Sequence, residues 1–159
     1  MKRSICTVFM LLAFATLTNA QMIVKEWEFN AEAIKSELAA KYNAFNGRLE
    51  DQTVEMWDTY FLKSPNIGNM HEGRPEIGWE TVHRGSIEFV KSKPKGEMRM
   101  ADLEFYPING ITAWVKGKMV ITTNGRAIEA VFYDSLVRTV EGWRVILSVV
   151  SPVRNKEEK

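Results

Sequence analysis

The last third of the chain constrains the fold most strongly, because it alternates long runs of strand-forming residues with tight-turn signals. Asn109-Gly110, Asn124-Gly125 and Glu141-Gly142 interrupt runs rich in β-branched and aromatic residues. An Asn-Gly pair suits a two-residue hairpin turn, since such turns need positive φ. The pattern predicts a strongly twisted antiparallel meander with strands at 98–108, 111–123, 126–140 and 143–153.

The segment before the meander predicts three helices. Residues 31–45 carry Asn30 as an N-cap and an apolar stripe of Ile34, Leu38 and Tyr42 at helical spacing. Residues 50–61 and 78–91 show similar spacing, and the Pro/Gly-rich loop between them leaves room for a short strand at 66–70. We therefore expect an α+β fold in which three helices and one curved sheet enclose a pocket.

The two ends of the chain are expected to lie outside this fold. Lys2 and Arg3, an apolar run at 8–17 and small residues at 18–20 predict a signal peptide over 1–20, and hence an exported protein, periplasmic or secreted. A retained membrane anchor is the weaker alternative, because the apolar run is short. Residues 21–159 then form a single domain with a core of about 31–153 and a charged tail at 154–159.

The composition excludes several function classes. Cys6 is the one cysteine and lies in the leader, so the mature chain has no thiol chemistry and no disulfide. Removing Lys2 and Arg3 from 21 basic residues leaves 19 against 20 acidic residues. This balance gives no reason to expect nucleic acid as a partner, or a membrane after signal cleavage. Since no phosphate loop, dinucleotide motif or metal-ligand spacing occurs, neither a cofactor nor a metal is expected.

Asp134 is the most unusual residue of the predicted sheet. Pairing across the two turns places Val115 and Val149 opposite Asp134, in an otherwise apolar face that the helices cover. Burial there predicts a raised pKa for the carboxyl, because desolvation penalises the charged form. The alternative is a structural carboxyl satisfied by a backbone donor or by an arginine such as Arg84. The predicted inner face consists of Ala113, Val115, Met119, Ala130, Phe132, Leu136, Leu147 and Val149 around Asp134.

The opposite face of the sheet mixes charged and large apolar side chains, among them Trp114 and Tyr133. It is too apolar for plain exposure to solvent, so we expect a homodimer that forms through this face. Scattered surface hydrophobic residues are the alternative. A β-bulge in either hairpin would exchange the two faces locally. The predicted outer face includes Trp114, Lys116, Lys118, Val120, Glu129, Val131, Tyr133, Ser135, Val137, Ile146, Ser148 and Val150.

Several short motifs occur in a telling order: Tyr42 to Gly47, Met56-Trp57, Gly78 to Val82, Ala113-Trp114-Val115, and Glu141 to Ile146. In this order and spacing the chain resembles the nuclear transport factor two-like superfamily, specifically its SnoaL-like and ketosteroid isomerase-like members. The resemblance implies a cone-shaped, barrel-like fold, in which a strongly curved antiparallel sheet wraps around three N-terminal helices and leaves a ligand cavity at the open end.

The resemblance also implies site residues. Asp134 and Tyr42 fall near the two hydrogen-bond donors that such isomerases direct at a substrate oxyanion. The isomerase base falls near Asn69, which cannot accept a proton, and the histidine of many SnoaL-like proteins is replaced by Val149. His71, in the loop expected at the rim, is the best substitute base, although an exposed loop histidine is the alternative. The implied ligand contacts are Tyr42, Asn69, His71, Asp134 and Val149.

Three functions remain open from the sequence. The first is an exported protein that binds a small apolar or amphipathic molecule without a catalytic set. The second is an isomerase, cyclase or dehydratase that uses His71 as base, with Asp134 and Tyr42 as oxyanion donors. The third is a non-catalytic dimerisation or assembly module whose cone is filled by its own side chains. A cavity distinguishes the third function from the other two.

Overall fold

The structure is a computed structural model that describes residues 27–92 and 95–153. The predicted signal peptide at 1–20 and the predicted tail at 154–159 lie outside these residues. The described part contains the helices α1 (Ala31–Asn43), α2 (Val54–Tyr60) and α3 (Trp79–Ser92). None of these helices is long and apolar enough to cross a membrane.

The helices follow the predicted pattern with one difference. The side chain of Asn30 caps α1 by accepting a hydrogen bond from the helix backbone at 3.0 Å, and the predicted apolar stripe is buried. The second predicted helix, 50–61, is divided into a short 3-10 helix at Leu49–Asp51 and α2. The division occurs because Gln52 and Thr53 are extended, and the Thr53 side chain starts a new helix as its N-cap.

The strands of the described part are β1 (Gly47–Arg48), β2 (Gly68–His71), β3 (Arg74–Ile77), β4 (Glu97–Pro107), β5 (Thr112–Thr123), β6 (Arg126–Thr139) and β7 (Gly142–Pro152). They form one sheet with the order β1-β4-β5-β6-β7-β2-β3. The predicted meander is confirmed as β4 to β7, while the Pro/Gly-rich loop forms the hairpin β2–β3. All neighbouring strands are antiparallel except β2 and β7, which are parallel. The predicted α+β fold class is therefore confirmed.

The predicted register is right for β5–β6 and wrong for β6–β7. Val115 lies opposite Asp134, as predicted. On the other side, however, Ser148 and not Val149 is the partner of Asp134. The second turn is centred one residue earlier than predicted, and a β-bulge at Ile146 inserts one extra residue. Since side chains alternate along a strand, the bulge turns Ser148 and Val150 inward and Leu147 and Val149 outward.

Aromatic rings occupy the centre of the cone. Tyr42 stacks on Phe132 with ring centroids 5.5 Å apart, and it meets Tyr60 edge-on at 5.9 Å. Gly117 provides the space for this packing, because a Cβ at that position would lie 2.7 Å from the Phe132 ring. The arrangement holds α1 and α2 against the inner face of the sheet.

Candidate functional site

A cavity of about 390 Å³ opens between α2, α3 and the inner face of the sheet. We call it the cone cavity. Gly85 on α3 borders it without a side chain, and a Cβ there would meet nothing within 4 Å. The cone is therefore not filled by its own side chains. Apolar residues of its wall are Trp57, Phe61, Val82, Phe89, Met98, Met100, Met119, Ile121, Phe132 and Val150, and polar ones are Tyr60, Asn69, His71, Glu76, Ser86 and Ser148.

The hairpin β2–β3 supplies one polar cluster of the cavity. Asn69 and Glu76 are paired across the two strands, and the Asn69 amide donates a hydrogen bond of 2.7 Å to the Glu76 carboxylate. His71 lies two residues after Asn69 and is exposed. Because side chains at i and i+2 share a face of a strand, His71 and Asn69 both line the cavity. The tight turn Glu72-Gly73, with φ of 52° and 78°, makes the hairpin possible.

A second polar cluster lies on the opposite side of the cavity wall, around Asp134. The Tyr42 hydroxyl donates a hydrogen bond of 2.6 Å to Oδ2 of Asp134, and the Tyr60 hydroxyl donates to the same oxygen. Asp134 is only 2% exposed. Its other oxygen, Oδ1, has no hydrogen-bond partner among the described residues. Ser148, the cross-strand partner of Asp134, lines the cavity, as does Tyr60.

Burial raises the pKa of the Asp134 carboxyl, in the direction that the sequence predicts. The hydroxyls of Tyr42, Tyr60 and Ser148 and the ammonium of Lys41 favour the charged form and oppose this shift. The pKa values of Tyr42 and Tyr60 are also raised, first by burial. Both tyrosines therefore keep their protons near neutral pH and donate them in hydrogen bonds to Asp134.

The predicted ligand contacts divide into two groups in the structure. Asn69 and His71 line the cone cavity, whereas Tyr42, Asp134 and Val149 do not. Tyr42 and Asp134 lie behind the wall, because they are bound to each other within the core. Val149 points outward as a result of the β-bulge. Two of the five predicted ligand contacts therefore line the cone cavity, and ligand contacts at the other three residues stay a prediction. The alternative of Arg84 as the partner of Asp134 is wrong, because Asp134 accepts its hydrogen bonds from the hydroxyls of Tyr42 and Tyr60.

The polar wall residues Tyr60, Glu76, Ser86 and Ser148 were not predicted as ligand contacts. Tyr60 lies three residues after Trp57 on the same side of α2, so helical spacing could have indicated it. Glu76 becomes recognisable only once β2 and β3 pair. Ser148 was assigned to the outer face, because no local sequence pattern predicts the β-bulge that turns it inward.

His83 lies outside the cone cavity. Its Nδ1 atom is 2.8 Å from Oδ1 of Asp58, and its ring stacks on Trp79 at 4.7 Å. It is half-buried on α3. Within residues 27–92 and 95–153, no three histidine, aspartate or glutamate side chains stand close enough to hold a metal ion.

Comparisons with known proteins agree on the fold. Neither a family model nor a curated protein matches the sequence. Among solved structures, a proposed dehydratase of the NTF2-like family from Streptomyces avermitilis superposes with a TM-score of 0.65 and 16% identity, over 79% of this chain and 100% of that chain. An NTF2-like protein of unknown function from Shewanella oneidensis gives 0.62 and 14%, over 76% and 97%.

A third structure, a nuclear transport factor 2-like superfamily protein from Salmonella enterica, gives a TM-score of 0.61 at 15% identity, over 81% of this chain and 97% of that chain. The protein thus has the nuclear transport factor 2-like cone fold, which confirms the fold that the sequence resemblance implied. The SnoaL-like and ketosteroid isomerase-like subtype stays a prediction, because likeness at such low identity concerns the fold alone.

Proposed function

We propose that this chain is an exported protein that binds one small, mostly apolar or amphipathic molecule in the cone cavity. The observation that carries the proposal is the cavity itself, an open space of about 390 Å³ with an apolar wall and two polar clusters. Small-molecule sites usually have volumes of about 300–1,000 Å³. Met98, Met100 and Met119 contribute adaptable surface to the wall, which suits a ligand of irregular shape.

The polar atoms at the wall indicate what the ligand carries. Asn69 and Ser148 line the cavity, and amide and hydroxyl groups can both donate and accept hydrogen bonds. The Tyr60 hydroxyl gives its proton to Asp134, so its oxygen can only accept from a ligand. These groups favour a molecule with an apolar body and one hydroxyl or carbonyl group.

Gly85 provides a direct test of the cavity. Gly85 borders the cavity and a Cβ there meets nothing within 4 Å, so we expect the leucine side chain of Gly85→Leu to occupy part of the cavity. We expect isothermal titration calorimetry with 2-naphthol, an apolar alcohol, to show binding to the wild type and loss of binding in Gly85→Leu. Gly85→Ala is the matched control: it adds only a methyl group and retains binding. Equal affinity of all three proteins for 2-naphthol would contradict the proposal.

A second candidate function, a proton-transfer enzyme of the isomerase, cyclase or dehydratase type, is favoured by one specific observation. Glu76 is a carboxylate in the cavity wall, held by Asn69, with His71 on the same face of β2. Either His71 or Glu76 would remove a proton from carbon in such a reaction. Tyr42 and Asp134, behind the wall, would support the site without touching the substrate.

Deuterium incorporation into 2-tetralone in heavy water, followed by NMR, separates the enzyme from the binding protein. The enzyme accelerates exchange at the carbons next to the carbonyl, and His71→Ala or Glu76→Gln lowers the rate by about 10²-fold or more. If wild-type protein with saturating 2-tetralone shows only the exchange rate of the buffer, the enzyme function is excluded and the binding function remains.

We also propose that two copies associate through the outer face of the sheet. Tyr106, Trp114 and Leu147 are exposed there and are connected by cross-strand pairing. The ion pairs Lys116–Glu104 and Lys118–Asp102 flank these residues and leave the surface without a large net charge. An apolar patch with balanced charge suits a self-complementary contact. The patch comprises Tyr106, Trp114, Tyr133 and Leu147, and we call it the outer patch.

A further inference from the structure

A second depression, of about 530 Å³, lies between α1 and the turn that joins β6 to β7. We call it the basic groove. Phe45, Ala40 and Trp143 give it an apolar wall, and it shares no lining residue with the cone cavity. Its charged lining residues in the described part of the chain are three cations and two carboxylates: Lys41, Arg138, Arg144, Glu37 and Glu141.

Lys41 is the unusual member of this set. Its ammonium donates to the backbone carbonyls of Thr59 and Tyr60 at 3.1 and 3.3 Å, and it lies 4.6 Å from the centre of the Tyr60 ring. No carboxylate of the described residues stands within ion-pair distance of it. A largely buried cation without a counter-ion is costly, because its lost hydration is only partly replaced.

The two arginines of the groove are held in place by carboxylates at its edges. Arg144 pairs with Glu141 at 3.2 Å and also donates to the Trp143 carbonyl, while Arg138 pairs with Glu37. Their side chains are only 12% and 14% exposed. Since guanidinium groups have five donors, these pairs leave N–H groups that can bind an oxyanion as well.

We propose that the basic groove is a second binding site, which takes the carboxylate of a small aromatic or otherwise apolar acid on Lys41 and Arg144. The apolar part of the acid lies against Phe45 and Trp143. The carboxylate supplies the counter-ion that Lys41 lacks within the described chain. The proposal is independent of the cone cavity, since the two sites have separate linings.

The charge state of Lys41 makes binding depend on pH. Desolvation and the nearby Arg144 lower the pKa of Lys41 to about 7, while the charge of Asp134 opposes the shift. Arg138, Glu37 and Glu141 are the other charged groups that line the groove. A carboxylate binds best to the ammonium form, so affinity should fall as the pH rises above 7.

Titration with benzoate, an aromatic carboxylate, tests the site by calorimetry at pH 6 and pH 9. We expect saturable binding at pH 6 that is at least tenfold weaker at pH 9. Lys41→Met should weaken binding at pH 6 by about tenfold to one-hundredfold, as for a lost charge-assisted hydrogen bond. Lys35→Met, a change at a lysine of the same helix that does not line the groove, should leave the affinity unchanged. Lys41→Arg should bind equally at both pH values, because arginine does not titrate there.

Arg144→Gln provides an independent second variant and should also weaken binding. The proposal is overturned by the absence of saturable benzoate binding, or by an affinity that neither Lys41→Met nor Arg144→Gln changes. It is also overturned if inorganic phosphate or chloride competes as well as benzoate at equal concentration, since that result describes a general attraction of anions. If Lys41→Met does not fold, as judged by circular dichroism, Arg144→Gln and Lys41→Arg decide the outcome.

Discussion

The carboxyl of Asp134 shows which properties of a single residue can be predicted from the sequence and which cannot. The sequence predicts its position in an apolar face and the direction of its pKa, because turns fix the register of β5 and β6. Its partners could not be predicted, since they depend on the rotation of α1 and α2 against the sheet. The hydroxyls of Tyr42 and Tyr60 both donate to its Oδ2 atom, so neither tyrosine proton is free to donate to a ligand.

Two substitutions of Asp134 should have very different effects on stability. Asp134→Asn keeps an oxygen that accepts from both tyrosines, so we expect a cost below about 1 kcal/mol. Asp134→Ala leaves both buried hydroxyls without an acceptor, and we expect a loss of about 3–5 kcal/mol. Urea denaturation at pH 7 measures both values. A similar loss in the two variants would contradict the assigned network.

The raised pKa of Asp134 also predicts a pH dependence. An acid whose pKa is higher in the folded state stabilises that state most below its ordinary pKa, and this contribution is lost as the pH rises through the folded pKa. The free energy of unfolding of Asp134→Asn, relative to the wild type, should therefore increase as the pH rises from 4 to 8. Denaturation at several pH values provides the measurement, and a relative stability independent of pH would exclude the buried neutral carboxyl.

Lys41 should show a pH dependence at higher values. Its pKa is lowered to about 7 in the folded protein, so the unfolded chain binds more protons between pH 7 and 10. Stability of the wild type should therefore rise relative to Lys41→Met over that range, by at most about 1.4 kcal/mol per pH unit. Denaturation curves at pH 7, 8 and 9 check the slope, and Lys35→Met serves as the control that retains it.

At the scale of secondary structure, the sequence predicted the helices and strands better than it predicted how the strands pair and in which register. The N-cap at Asn30, the apolar stripe of α1 and the Asn124-Gly125 turn are local signals, and the structure follows each of them. The β-bulge at Ile146 and the parallel pairing of β2 with β7 depend on contacts between distant segments. The candidate site is built from the second kind of feature, which is why Ser148 and Glu76 were missed.

Gly117 tests the packing between β5 and β6. A methyl group added there would approach the Phe132 ring to 2.7 Å and the Leu103 side chain to 2.8 Å. Gly117→Ala should therefore displace Phe132 from its stack on Tyr42 and cost about 1–3 kcal/mol. Gly85→Ala, where the added methyl meets nothing, should instead stabilise α3 by about 0.5–1 kcal/mol. Thermal unfolding of both variants provides the comparison, and equal midpoints would contradict it.

For the whole molecule, the fold could be predicted and the use of its surfaces could not. The order of helices and strands was sufficient to predict the cone fold. The cavity, the basic groove and the outer patch each depend on which side chains lie next to one another in the folded chain. The proposed dimer belongs to this scale. Trp114 is 60% exposed and Tyr133 is 52% exposed, so both remain available for contact with a second copy.

Replacing Trp114 by Lys should separate the proposed dimer. A central tryptophan commonly contributes about 2 kcal/mol or more to an interface, which corresponds to about a 30-fold weaker association. Light scattering after size-exclusion chromatography should give a dimer mass for the wild type and a monomer mass for Trp114→Lys. Ile108→Lys, at the turn between β4 and β5 and outside the outer patch, should remain dimeric. A wild-type monomer mass at high concentration would rule out the association.

Gly85 has a consequence for how such a protein can diverge. The position borders the cone cavity, lies within a regular helix and has no neighbour within 4 Å of an added Cβ. Substitutions there would change the size of the ligand that fits the cavity by about one carbon at a time, while the surrounding fold keeps its geometry. Natural variants of this chain are therefore expected to change their ligand preference by substitution at Gly85 more readily than by substitution in the aromatic centre, where each change disturbs several rings.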